Sequence, residues 1–192
     1  MEKIKEKTIF GIDLEKSVTP DCVRVAQNIL GRHFDIVSYE QVDLKEEICH
    51  NDVHFFDRCG RHNHVDLKHY SEGTWNSRIA LEVHNDVTSK SAGWVFKLIN
   101  EKVDYVLFIW HGKAKLCYLL VYADKLEKWW RENYRRYPLI LNKISVDRKT
   151  GNEWQSSFCS VKIMDLPKDL ILCWQRFTDL SDFMNVRQIK LG

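Results

Sequence analysis

Glycine and proline are scarce in this chain of 192 residues, with 8 and 3 copies. That excludes collagen-like, linker-like and proline-rich architectures. Long apolar runs are missing too: the longest, Leu116–Ala123, is far short of the roughly 20 residues that a membrane helix needs. The opening residues, Met1-Glu-Lys-Ile-Lys-Glu-Lys, mix both charges and lead into no apolar stretch, so a secretory signal is not expected. The six cysteines include no C-x-x-C pair, which suits reduced, buried thiols rather than a disulfide framework. There is no G-x-x-x-x-G-K followed by Ser or Thr, no G-x-G-x-x-G and no G-x-S-x-G. Motifs for P-loop, dinucleotide-binding and serine-hydrolase chemistry are therefore absent. These absences point to a soluble, intracellular, cytoplasmic protein with no membrane partner.

What is present suffices for a core. Hydrophobic residues make up 44% of the chain and aromatics 12%, enough for one globular domain over residues 1–192. The net charge of +2 hides two opposed segments. Residues 35–57 hold seven acids against one lysine, whereas residues 125–150 hold eight Lys/Arg against three acids.

Periodicity sets the coarse elements. Thr19-Pro20 opens a helix carrying Val23, Ala26, Ile29 and Leu30, with Gly31 as its expected stop. Phe34–Tyr39 reads as a short strand, and residues 40–58 have no clear period. Two segments alternate cleanly. In His62–Tyr70, Val65 and Leu67 share one face and Asp66 and Lys68 the other. In Arg78–His84, Ile79, Leu81 and Val83 oppose Ala80, Glu82 and His84. With Glu72–Asn76 as a turn between them, they predict a β-hairpin. Trp94–Asn100 fits helix and strand equally. Val103–Trp110 and Leu116–Tyr122 read as buried strands around a His111-Gly-Lys turn. Ala123–Asn133 reads as a helix, Ser157–Met164 as a late strand, and Leu166-Pro-Lys-Asp-Leu as the start of a helical piece. The order predicts an α/β fold with a mixed central β-sheet flanked by helices.

If the hairpin forms, Asp66 and Glu82 lie on neighbouring strands about 4.8 Å apart. Two carboxylates that close need a cation or a proton between them. Oxygen ligands of this kind suit Mg2+ or Mn2+, and the Val83 carbonyl can add a third. The plainer alternative is that this face is simply the wet side of the hairpin.

Asp66, fifteen residues, then Glu82-Val83-His84 resembles the signature of the PD-(D/E)xK nuclease superfamily. The surrounding text HVDLKHY, RIALEVHND, TSKSAG and VDYVLFIW is similar as well. The resemblance covers about residues 18–125, leaving a basic extension over about 126–192. In that extension ENYRRYPL and LPKDL are similar to phage-type members, which implies a phage or viral origin. The family implies a restriction-endonuclease-like fold, metal-dependent hydrolysis of phosphodiester bonds in DNA or RNA, and frequent pairing into homodimers. The family's lysine is His84 here. Three readings stay open: His84 works in its place, Lys68 or Lys90 has taken the role, or the site is inactive and the chain is a nucleic-acid- or protein-binding module.

A nuclease must also hold a polyanion. Lys90, Lys128, Arg131, Arg135 and Arg136 are the candidate contacts. Trp129, Trp130, Tyr134 and Tyr137 are interleaved with them and are able either to stack on bases or to face the core. Separately, Cys49, His50, His54, Cys59, His62 and His64 crowd into sixteen residues. Zinc takes ligands of these types in fours, but the spacing matches no standard finger.

Overall fold

The computed structural model describes residues 8–9, 20–40, 52–70, 77–111, 116–146 and 150–177. The elements in chain order are β1 (Thr8–Ile9), α1 (Pro20–His33), β2 (Ile36–Tyr39), β3 (Asp52–Asp57), β4 (His62–Tyr70), β5 (Arg78–Asp86), β6 (Ser91–Ala92), β7 (Tyr105–His111) and β8 (Leu116–Tyr122). They continue with α2 (Ala123–Asn133), β9 (Leu139–Leu141), β10 (Ser145–Val146), β11 (Glu153–Trp154), β12 (Ser157–Lys162) and β13 (Ile171–Phe177). Three sheets result: six strands in the order β13-β8-β7-β4-β3-β2, four in the order β6-β5-β12-β9, and a small β1-β10-β11 set. The large sheet is mixed, because β4 and β7 run parallel while its other pairs are antiparallel. The fold is therefore mixed α/β, with a mixed central sheet and two α-helices among the described residues. None of their helices is long and apolar enough to cross a membrane.

Both faces of the central sheet are covered, which is why β7 and β8 read as continuous apolar runs. On one face Ala26, Ile29 and Leu30, one side of α1, pack on Val53, Phe55, Val65, Leu67, Leu107 and Ile109. On the other face Val106, Phe108, Trp110, Leu119 and Val121 meet Ile79, Leu81 and Val83 of the second sheet together with Leu126 and Trp130 of α2. Alternation along β7 separates the two cores. The segment beyond residue 125 belongs to both sheets: β12 lies in the middle of the four-stranded one and β13 edges the six-stranded one.

Four expectations are corrected. The hairpin of 62–70 with 78–84 does not form. Both edges of β4 are taken by β3 and β7, and β5 pairs with β6 and β12. The hairpin partner of β4 is β3, across a turn that the carboxylate of Asp57 stabilises by accepting from the N–H groups of Cys59 and Arg61, each at 2.9 Å. Gly60 takes φ +74° there. Second, Gly31 does not stop α1; the helix runs on to His33, with Arg32 and His33 in its last turn where the helix dipole favours cations. Third, Trp94–Phe96 is a single 3-10 turn, neither strand nor long helix. Fourth, beyond Leu166 a 3-10 turn at Lys168–Leu170 gives way to β13 rather than to a helix. The turns expected at Glu72–Asn76 and at Gly112-Lys113 lie outside the described residues.

Candidate active site

Asp66 and Lys68 stand on the face of β4 that looks toward the second sheet, in register with Val106 and Phe108 of β7. Asp66 is buried, only 6% exposed. The Lys68 ammonium pairs with its Oδ1 at 2.8 Å. The same ammonium sits 4.2 Å from the centre of the Trp94 ring, so a cation–π contact adds to the ion pair. Two residues on, Tyr70 stacks on Trp110 with ring centres 5.0 Å apart. Its hydroxyl accepts from the N–H of Ala80 at 3.0 Å, tying the end of β4 to β5. Burial pushes the Tyr70 phenol up to about 12, so it remains a neutral hydroxyl.

Glu82 reaches the same neighbourhood from β5. Its Oε2 accepts from the backbone N–H of Trp94 at 3.0 Å. Burial raises its carboxyl above the ordinary range, and the Trp94 N–H, then the charges of Lys68 and Lys97, partly offset that rise. Trp94 is thus the common neighbour, with its ring on Lys68 and its backbone on Glu82. The residue before it must be small. A Cβ at Gly93 would lie 2.5 Å from the Glu82 carbonyl oxygen and 2.8 Å from Cγ. The N–H of Gly93 also donates to the Val83 carbonyl at 3.0 Å, so one side of that oxygen is already engaged.

The two sequence-expected carboxylates therefore belong to different sheets and are linked in sequence of contact: Asp66 pairs with Lys68, Lys68 lies on the Trp94 ring, and the Trp94 N–H donates to Glu82. The Nδ1 of His84 lies 2.9 Å from the Oγ of Ser157 on β12. Among the residues expected to contact nucleic acid, Lys90 is exposed in a turn with φ 55°. Lys128 pairs with Asp124 at 3.2 Å. Arg131 is bound to buried Glu127 and donates to the Phe96 carbonyl at 2.7 Å, so it braces the Trp94 turn against α2. Arg135 lies over Tyr134 and is exposed, as is Arg136. Trp130 is fully buried in the core and takes no part in base stacking; Trp129 is partly buried beside it.

Two acids escaped the sequence reading. The register of β3 sets Asp52 opposite Asp66. Glu40 follows β2, and its carboxylate approaches two histidines, His54 and His62. The Asp57–Gly60 turn signals only the pairing of β3 with β4; Glu40 is brought in by the pairing of β2 with β3. Of the Cys/His group, Cys49 and His50 lie outside the described residues, and Cys59 is exposed at the turn.

No family model, curated protein or solved structure matches the chain.

Proposed function

We propose that this chain is a metal-dependent phosphodiesterase acting on DNA or RNA, a restriction-endonuclease-like member of the PD-(D/E)xK nucleases, with Lys68 rather than His84 in the lysine role. The observation that carries the reading is Asp66-Leu67-Lys68, an acid and a lysine two apart on one strand and ion-paired at 2.8 Å, with Trp94 holding Lys68 under its ring and Glu82 on its N–H.

The donor set fits Mg2+ or Mn2+. Asp66, Glu82 and the Val83 carbonyl offer only oxygen, the ligand type that hard cations take. A half-buried carboxyl already pushed upward is also one that a cation would help to ionise. A divalent ion bound there supplies a water of lowered pKa and charge stabilisation for the phosphorane. Lys68 brings a positive charge to orient the attacking water and to offset charge developing on the phosphoryl oxygens. Trp94 keeps bulk water off the ammonium from one side. The exposed Lys128, Arg135 and Arg136 would steer the polyanion, giving affinity that falls steeply with salt.

The second reading is a non-catalytic nucleic-acid- or protein-binding module. It is favoured by the closed Asp66–Lys68 pair, since a buried ion pair can be purely structural. Cleavage assays on DNA and RNA with Mg2+ and Mn2+ separate the two. Asp66→Ala, Glu82→Ala and Lys68→Ala should each lower the rate at least about 100-fold, as loss of a transition-state stabilising group does. His84→Ala should keep a rate within several-fold of wild type. Wild-type protein that cuts no substrate supports the module. A dead His84→Ala beside an active Lys68→Ala would return the lysine role to His84.

A further inference from the structure

We propose that Glu40, His54 and His62 form a second and separate site, for a divalent transition metal of the Zn2+ type. Three strands bring them together. The N–H of Glu40, just past β2, donates to the His54 carbonyl of β3 at 3.0 Å. His54 and Phe56 of β3 stand opposite His64 and His62 of β4. Side chains at these positions share one sheet face, so His54 and His62 are diagonal neighbours.

Three ligand atoms converge. His54 Nδ1 and His62 Nε2 are 3.3 Å apart. Glu40 Oε2 is 3.1 Å from His62 Nε2 and 3.6 Å from His54 Nδ1. A tetrahedral ion with bonds of about 2.0–2.1 Å holds its ligand atoms about 3.3–3.4 Å from one another. The three separations straddle that value, so an ion can be seated with only small adjustments. The rings are held in place: His54 stacks on His64 with centres 4.3 Å apart, and His62 on Phe56 at 4.8 Å. Imidazole nitrogen with one carboxylate is donor chemistry for zinc-like ions rather than for Mg2+.

Hydrogen bonding accounts for the cluster less completely. His62 Nε2 carries at most one proton, yet it has two acceptor-bearing neighbours within 3.3 Å. If both ring nitrogens donate to Glu40, two N–H groups face each other at 3.3 Å. A cation satisfies all three lone pairs at once. The site is half-open, with the Glu40 and His62 side chains 50% and 46% exposed. Three protein ligands with solvent at the fourth position are the arrangement of a reactive rather than a purely structural zinc.

The site does not share an ion with Asp66. His62 and Asp66 are four residues apart on one strand, which is about 13 Å, whereas paired catalytic ions sit about 3.5–4 Å apart. The two sites therefore stand or fall independently.

The test is a Co2+ titration of the full chain, followed by Zn2+ competition. One equivalent of Co2+ should give visible bands of a low-symmetry nitrogen–oxygen site, without intense sulfur charge transfer, and Zn2+ should abolish them. His62→Ala and His54→Ala should each weaken binding at least about 100-fold, since even outer partners of a metal ligand are worth 10–100-fold. Glu40→Gln should weaken it as well, while Asp66→Asn and Cys59→Ser should leave the spectrum unchanged. Should His54→Ala fail to fold, the more exposed His62→Ala decides. Absence of bands at stoichiometric Co2+, survival of the bands in His62→Ala, or a thiolate spectrum would each overturn the proposal.

Discussion

Replacing Gly93 with alanine tests the architecture around Glu82 directly. Gly93 has φ −64° and ψ 163°, a backbone any residue adopts, so no conformational strain enters and the effect is wholly steric. The new Cβ would meet the Glu82 carbonyl oxygen at 2.5 Å, its carbon at 2.6 Å and Cγ at 2.8 Å. Ordinary contact begins near 3.4 Å, so the strand and the turn must separate by about 0.9 Å. Two hydrogen bonds span that gap, Gly93 N–H to Val83 O and Trp94 N–H to Glu82 Oε2, both at 3.0 Å. Overpacking costs about 1–3 kcal/mol and a weakened bond to a charged group about 1.5–3. The two share one displacement and do not simply add, so about 2–4 kcal/mol is expected. At 2–4 °C per kcal/mol for a chain of this size, that is a fall in Tm of about 4–16 °C. Calorimetry and urea denaturation read it. Gly31→Ala is the paired control: it lies in the last turn of α1, and its nearest neighbour would be the Tyr39 hydroxyl at 3.9 Å. It should stabilise by about 0.5–1 kcal/mol, the helical advantage of alanine. If Gly93→Ala melts with wild type, the close approach of the turn to β5 is not as described, and the shared role of Trp94 goes with it.

Two further outcomes follow. Trp130→Ala should cost about 3–5 kcal/mol, as removal of a fully buried indole does, and Trp129→Ala should cost clearly less; comparable losses in urea midpoints would contradict the packing of α2. His33, whose Nε2 lies 2.9 Å from the Tyr118 hydroxyl, has its pKa lowered from 6.5, chiefly by burial and then by the charge of Arg32. The unfolded chain therefore binds this proton more readily, so the contribution is intact above pH 6.5, is lost as pH falls from there through the depressed folded value, and levels off below it. His33→Gln should flatten the acid side of the Tm–pH curve between those limits, and an unchanged difference between variant and wild type across that range would refute the assignment.

Strand positions were legible wherever one face met a core. Alternation located 62–70 as observed and 78–84 of a strand that runs to Asp86, and the apolar runs located β7 and β8. Which strands pair was not legible. Alternation reports that Leu81 faces inward, but its ladder partner, Cys159, is far along the chain, and nothing in either segment encodes the other. The same gap hid Glu40, which two strand pairings carry to His54 and His62. The acid–lysine pair on β4 was visible as residues, but its contact with Trp94 was not, because the turn at Trp94–Phe96 has no period to read. The reading of α1 past Gly31 failed because glycine marks a helix end by tendency only, and here the following two residues complete the last turn.

The placement of β12 has a bearing on how the polypeptide is made. Leu81 waits for Cys159, and at synthesis rates of about 5–20 residues per second that interval lasts about 4–16 s. Through it, Ile79, Leu81 and Val83 have no second strand to shelter them on that side. A growing chain of this design leaves that edge of β5 unpaired until residues 157–162 have been made, and a message cut short before them would leave it open.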